Sequence, residues 1–174
     1  MTINFADGTT ITTGASGKVL QVKQTVKQDT FSESINANTN SSSCGLDVTI
    51  TPSSSSNKIL ILVQTTIGVG TDEHVGFVIL RGGSDISGYL PTGAGSRTTY
   101  GSGSSTRRSD YPEGVNGHFL DSPSTTSAVT YSVRLKYGRT INDMSIFLNR
   151  SDGDDNSIGR QRSVSTVTAM EVSA

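Results

Sequence analysis

Cysteine and tryptophan are almost missing from this sequence: its 174 residues include one cysteine, Cys44, and no tryptophan. A single cysteine cannot form an intrachain disulfide, and it excludes a zinc site built from cysteines. We expect Cys44 to pack in the core rather than to act as a nucleophile. The sequence therefore offers neither a disulfide framework nor a cysteine-based metal centre.

Charge is scarce as well. Asp, Glu, Lys and Arg make up 17% of the chain, and the formal net charge is −1 at pH 7. This balance creates no overall field that would attract nucleic acid or anionic lipid, so we predict neither as a partner. Residues 1–8 lack a basic region followed by an apolar one, and no stretch approaches transmembrane length. We predict neither a signal peptide nor membrane insertion. We expect the protein to be synthesised in the cytoplasm.

Hydrophobic residues account for only 32% of the chain, and the balance is made up by Ser, Thr, Asn and 19 Gly. Thr and Val suit pleated sheets, whereas Ser, Asn, Gly and Asp favour tight turns. No segment shows a helical period. The apolar residues are nevertheless clustered and periodic, which is not typical of a disordered chain. This composition predicts an all-β protein.

The clearest strand is residues 128–138, where Val129, Tyr131, Val133, Leu135 and Tyr137 occupy every second position. Such alternation predicts a half-buried strand. We count about eight or nine strands, which indicates a single jelly-roll-like β-sandwich, with an immunoglobulin-like sandwich as the alternative. Residues 58–68 are an unbroken apolar run and predict a strand covered on both faces. Residues 152–156 are predicted to be a hairpin loop before the last strand.

Two segments stand apart from these strands. Residues 1–16 carry Ile3, Phe5 and Ile11 around Asp7 and Gly8, a dipeptide suited to a hairpin turn. They form either a small hairpin or an arm buried against another subunit or a larger assembly, and the main domain spans residues 17–174. Within it, residues 89–117 lose all period, and loops of this length are usually functional or contact-making.

The long loop gathers tyrosines and arginines, which are favoured in recognition surfaces. We interpret it as a binding loop for a protein or a glycan. The alternative is a solvated loop whose arginines pair with Asp110 and Glu113. The candidate partner-binding residues are Ile3, Phe5 and Ile11 of the arm, and Tyr89, Arg97, Tyr100, Arg107, Arg108 and Tyr111 of the loop.

Nucleophilic catalysis lacks its usual sequence signals. The serines near Gly101 have no helix after them, and the only histidines, His74 and His118, lie at predicted strand edges. A serine nucleophile needs an adjacent, oriented base. We therefore predict a protein that is not an enzyme, with no catalytic residue and no cofactor.

One acidic segment resembles part of a calcium loop. Asp152, Asp154 and Asn156 are spaced as the first three ligands, but Ser157 replaces the required glycine and Ser163 stands where a bidentate glutamate belongs. Acidic turns of this kind are common in hairpins. We predict no metal site here.

Four stretches in this order resemble a family of small virion proteins of tailed bacteriophages, especially marine and cyanobacterial ones. They are Gly17-Lys-Val-Leu-Gln-Val-Lys-Gln, Thr49-Ile-Thr-Pro-Ser-Ser-Ser-Ser-Asn-Lys-Ile-Leu-Ile, the Leu80-Arg-Gly-Gly-Ser turn, and Phe119-Leu-Asp-Ser-Pro-Ser-Thr-Thr-Ser-Ala-Val-Thr-Tyr. The resemblance implies a jelly-roll-like sandwich that often trimerises. It also implies a role as a capsid decoration (cement) protein or as a tail-fibre or fibre-tip domain, without catalytic residues.

We expect a head decoration protein, because no repetitive shaft is recognisable beside the sandwich. The alternative is a fibre tip that binds a host surface receptor. The expected location is the virion, and the expected partners are the major capsid protein or other virion proteins and a host glycan or protein. A homotrimer is also expected, since Ile59, Ile61, Val63 and Phe77 lie in apolar runs that need covering.

Overall fold

The computed structural model describes residues 2–4, 6–8, 10–12, 17–71, 74–105, 111–138 and 144–174. Within these residues the protein is all-β, and two antiparallel sheets pack as a β-sandwich. No helix in the described chain could cross a membrane. The strands are β1 (Thr2–Asn4), β2 (Thr10–Thr12), β3 (Val19–Lys27), β4 (Phe31–Ile35), β5 (Asp47–Ile50), β6 (Lys58–Val69), β7 (His74–Arg81), β8 (Ser84–Asp85), β9 (Ser102–Ser105), β10 (Glu113–Asp121), β11 (Val129–Tyr137), β12 (Met144–Leu148) and β13 (Ser165–Val172).

The strand order is that of a jelly roll. In the larger sheet β3, the first strand of the sandwich, pairs with β13, the last one, and β6 and β10 follow. In the smaller sheet β5 pairs with β11, then β7 follows, and β8 and β9 share the far edge of β7. This nesting of early strands beside late ones confirms the jelly-roll-like sandwich predicted from the sequence.

Residues 152–156 lie, as predicted, in a loop that an isolated antiparallel bridge between Arg150 and Arg162 closes, but the strands on either side of it do not form a hairpin. β12 and β13 both pair with β6, one after the other along its length, and not with each other. Asn149 lies at their junction with a φ of 63°, and it is fully buried. Its Nδ2 donates to the carbonyls of Lys27 (2.8 Å) and Asp29 (3.0 Å), where β3 ends before β4 begins. Its Oδ1 accepts a hydrogen bond from Ser165 Oγ (2.6 Å). One side chain thus provides hydrogen bonds to two backbone carbonyls at the point where β3 gives way to β4 and β12 gives way to β13.

The core lies between the sheets. The five alternating apolar residues of β11 are all buried, as predicted, and Tyr131 and Tyr137 are among the largest fully buried side chains. Cys44 is also buried, and burial raises the pKa of its thiol. The prediction for residues 58–68 was wrong over the first part of β6, because Leu60 and Leu62 point away from the smaller sheet and only the alternate residues are covered by it.

An ion pair between a buried carboxylate and a half-buried arginine links the two sheets. Asp121 of β10 accepts hydrogen bonds from Arg81 Nη1 at 3.0 and 2.9 Å and from the Tyr131 hydroxyl at 2.7 Å. Arg81 and Tyr131 belong to β7 and β11 of the smaller sheet. Burial, together with the hydrogen bond to the Asp121 carboxylate, raises the pKa of Tyr131. This contact fixes one edge of the larger sheet against the smaller one.

A second buried carboxylate lies at the other side of the larger sheet. Glu171 of β13 is fully buried, and its oxygens accept from Ser53 N (2.7 Å), Ser53 Oγ (2.7 Å), Asn57 Nδ2 (2.6 Å) and Gln21 Nε2 (2.6 Å). Burial alone would raise its pKa, but the donors from Gln21, Asn57 and Ser53 outweigh burial and lower the pKa to about 2. The serine-rich turn before β6 is therefore folded around this carboxylate.

β1 and β2 form a small hairpin, one of the two alternatives predicted for this segment. β1 pairs with β2 in antiparallel register, with Ile3 opposite Ile11, and Gly8 in the turn has a φ of 82°. These strands make a two-stranded sheet of their own. Phe5 lies outside the described residues. A hairpin this small is at best marginally stable alone in water, so it depends on packing against something else.

Candidate partner-binding site

The segment predicted as one loop, residues 89–117, contains regular structure. β9 pairs with β7, and β10 already begins at Glu113. β9 has the sequence Ser-Gly-Ser-Ser and no apolar side chain, so it carries no hydrophobic period that could have revealed it. Its position depends on backbone pairing with β7. The loop prediction was therefore wrong for β9 and for the start of β10.

Tyr100 covers a gap in the smaller sheet. Gly76 of β7 pairs directly with Gly103 of β9, and the Tyr100 ring lies over both. A Cβ at Gly103 would lie 3.0 Å from Tyr100 Cδ2, and one at Gly76 would clash with the same ring. The Tyr100 hydroxyl donates to the carbonyl of His74 at 3.1 Å. The tyrosine thus takes the place of the side chains that the paired glycines lack.

An open groove of about 580 Å³ lies beside this ring. Its lining combines hydroxyl and backbone groups with the ring of Tyr100 and the apolar surface of Pro91, and it contains no carboxylate, lysine or arginine. The volume falls in the range of small-molecule sites. Of the loop residues predicted to bind a partner, Tyr100 lines it. The lining residues are His74, Pro91, Thr98, Tyr100, Gly101, Ser102, Gly103 and Ser104.

The other predicted loop residues are not gathered around this groove. Tyr89 packs its ring against Phe119 at a centroid distance of 4.9 Å, and its buried hydroxyl has no hydrogen-bond partner among the residues that the structure describes. Burial raises the pKa of Tyr89. Arg97 is exposed and bonds to the carbonyl of Ala94 at 3.3 Å, and Tyr111 is 51% exposed. Arg107 and Arg108 lie outside the described residues.

The acidic segment after β12 is paired with arginines. Asp154 lies 3.6 Å from Arg150 and also bonds to Arg162, while Asp155 accepts from Arg160 Nε at 2.7 Å. The hydrogen bond from Arg160 lowers the pKa of Asp155. In the described part of the chain, no group of three or more His, Cys, Asp or Glu side chains is placed to hold a metal ion. The loop's own cations thus compensate these carboxylates.

A second candidate surface is the solvent side of the larger sheet, which we call the outer face. Cross-strand register places Leu120, Leu60, Met170 and Val22 side by side across four strands, and we call them the apolar row. Leu120 and Val22 are 48% and 51% exposed. The outer face comprises Gly114, Asn116, His118 and Leu120 of β10; Lys58, Leu60, Leu62, Gln64 and Thr66 of β6; Thr166, Thr168, Met170 and Val172 of β13; and Val22, Gln24 and Val26 of β3.

The four residues that suggested a trimer are not on this face. Ile59, Ile61, Val63 and Phe77 are at most 3% exposed and pack between the two sheets. The monomer itself covers them, so they give no reason for association. Their neighbours on the outer face were missed because an unbroken apolar run does not reveal which residues the opposite sheet will cover.

The stretches that carry the family resemblance have structural positions. The first forms most of β3, the second surrounds Glu171 and enters β6, the third is the β7–β8 turn with Gly82 and Gly83 at positive φ, and the fourth contributes Asp121 to the ion pair between the sheets. They therefore identify a fold rather than a site. A scan against protein-family models and a search of curated proteins found no match to this chain.

Proposed function

We propose that this protein is a non-enzymatic structural protein of a bacteriophage virion that decorates and stabilises the capsid. Support comes from the four resembling stretches and from the jelly-roll sandwich in which they lie. In this proposal the protein is made in the host cytoplasm and resides on the virion. Its partners are the major capsid protein or other virion proteins and further copies of itself, three in the family that it resembles.

The observation that carries the decoration role is the β1–β2 hairpin. It pairs Ile3 with Ile11 in a sheet that adds no strand to the sandwich. Such a hairpin gains stability only when a larger surface covers it. Burying each isoleucine against a capsid subunit would contribute roughly 1.5 to 3 kcal/mol, and many symmetry-related copies would add through avidity.

Deletion of residues 2–12 tests this role. We expect the sandwich to stay folded, with unchanged circular dichroism and melting temperature, while occupancy on heads is lost. Particles that lack the protein should break at a lower temperature. The double variant Ile3→Ser/Ile11→Ser should behave like the deletion, whereas Thr2→Ser/Thr12→Ser, which alters the opposed pair next to it, should not. Full occupancy of heads by the deletion variant would contradict the proposal.

The groove beside Tyr100 favours one second candidate, a fibre tip that binds a host glycan or protein. Its serine and threonine hydroxyls and backbone groups beside an aromatic ring suit hydroxyl-rich ligands. If this role is correct, Arg97→Ala and Tyr111→Ala, both at exposed positions, and His74→Ala in the groove should reduce adsorption to cells without changing particle stability. Ile158→Ala, an exposed position in another loop, is the matched control. Normal adsorption of all three variants would eliminate this candidate.

A further inference from the structure

The outer face of the larger sheet is unusual for a solvated sheet surface. One face of an antiparallel sheet can meet water, and then it normally carries polar residues. Here the apolar row crosses all four strands, and Leu62 next to it is 37% exposed. Val19 and Leu20, at the bulge where β3 starts, are 49% and 43% exposed and extend the apolar area. A contiguous apolar patch of this kind marks an interaction surface.

Charge on the outer face decides which kind of partner fits. Among the residues named for this face, Lys58 is the only one that carries a formal charge, and it stands at the start of β6, in the row on one side of the apolar row. His118 and Gln24 border Leu62 and Thr168 in the row on the other side of the apolar row. The face therefore has an apolar centre and a polar, nearly neutral rim, which is the anatomy of a protein interface. Because it carries no block of like charge, two identical faces can meet without repulsion.

Size gives a second argument. Four strands spaced about 4.8 Å apart, with nine residues at about 3.3 Å each, span roughly 600 Å². Two such faces in contact bury roughly 1,200 Å² in total, which is the lower end of the range for stable specific complexes. The face is thus large enough to hold a second copy of the same chain. Each copy would contribute the same residues to the contact.

We propose that the outer face is the surface through which this chain associates with a second copy of itself. Leu60, Leu62 and Met170 form the centre of the contact, and Leu120 and Val22 flank it. This inference deepens the self-association that is part of the proposed function, but it does not depend on a role in a virion. Decoration of heads through the β1–β2 hairpin would remain possible if the inference failed.

The test is the mass of the full chain in solution, measured by light scattering at micromolar concentration. We expect twice the 18.2 kDa of the chain for the wild type, because two identical faces in contact close as a dimer. Leu62→Lys should shift the mass to that of the monomer, and so should Val22→Lys, which lies on another strand and guards against a local folding defect. Ile158→Lys adds the same charge at an apolar, fully exposed position off the face and should leave the mass unchanged.

Three results would overturn the inference. The first is a monomeric wild type. The second is an oligomer whose mass is unchanged by Leu62→Lys and Val22→Lys while both variants keep the wild-type circular dichroism spectrum. The third is a wild type with three times the mass of the chain, because a contact between two identical faces closes as a dimer and cannot build a trimer.

Discussion

The two faces of β6 carry the same kind of residue and have opposite environments. Ile59, Ile61 and Val63 are at most 3% exposed, whereas Leu62, between two of them, is 37% exposed. The smaller sheet covers Ile59, Ile61 and Val63, but Leu62 faces solvent on the other side of the strand. Residue type therefore does not decide burial in this strand. What decides it is the element that the rest of the chain supplies on each side.

The largest loss of stability is expected for a substitution on the inner face of β6. Ile61→Ala should lower the free energy of unfolding by about 2 to 5 kcal/mol, because it removes buried methyl groups and leaves a cavity. The neighbouring Leu62→Ala should cost less than about 1 kcal/mol at protein concentrations low enough to keep the chain monomeric. Urea denaturation of the two variants measures the difference directly. Equal losses would mean that the outer face is covered within the monomer.

A second prediction concerns polar groups on the inner face. Glu171→Gln should lower the free energy of unfolding by roughly 2 to 3 kcal/mol at pH 7, because the new amide opposes donors from Asn57 and Ser53 that now bind a charged carboxylate. Gln24→Glu, on the outer face of the neighbouring strand, is a control whose charge remains in water and should have a small effect. Comparable losses would contradict the importance of burial.

The same carboxylate predicts a pH dependence with a definite sign. The pKa of Glu171 is lowered from 4.5 to about 2 in the folded protein, so the folded state binds its proton less readily than the unfolded state. Its stabilising contribution is complete above pH 4.5 and is lost as the pH falls from there toward 2. Melting temperatures recorded across this window should fall more steeply for the wild type than for Glu171→Gln.

Much of the sandwich could be predicted from the sequence because its strands alternate or are bounded by turn residues. The alternation in β11 identified five buried side chains, and the strand pattern indicated the jelly roll, although the described residues contain thirteen strands rather than eight or nine. The sequence did not show which face of β6 would be buried, because Leu60 and Leu62 continue the apolar run that Ile59 and Ile61 begin. Nor could the end-to-end arrangement of β12 and β13, which depends on contacts of Asn149 with residues more than a hundred positions away.

The candidate sites were less accessible to sequence reasoning. Tyr100 was chosen as a recognition residue, but its place over Gly76 and Gly103 follows from strand register, which the sequence does not state. Glu171 was overlooked although a signal was present: it alternates with Val167 and Ala169, so it shares their buried face. A glutamate in such a position needs partners, and the serine-rich turn was available to supply them.

Two buried tyrosine hydroxyls sharpen the comparison further, because that of Tyr131 has a hydrogen-bond partner among the described residues and that of Tyr89 has none. Tyr131→Phe removes the 2.7 Å hydrogen bond to Asp121 and leaves that buried carboxylate with Arg81 alone. We expect a loss of about 1 to 2 kcal/mol in the free energy of unfolding. Ser127→Ala, an exposed change near the start of the same strand, should have little effect. An unchanged stability for Tyr131→Phe would mean that Arg81 is sufficient for Asp121.

The smallest expected change in stability is a gain and not a loss. The Tyr89 hydroxyl is buried beside Gly101 and has no hydrogen-bond partner in the part of the chain that the structure describes, so folding removes it from water without compensation there. Tyr89→Phe keeps the ring contact with Phe119 and removes only the uncompensated group. We therefore expect a gain of up to about 1 kcal/mol in the free energy of unfolding and a higher melting temperature. A loss as large as that of Tyr131→Phe would show that the hydroxyl is satisfied in solution, and that the inner side of the sandwich admits a polar atom at this position at no net cost.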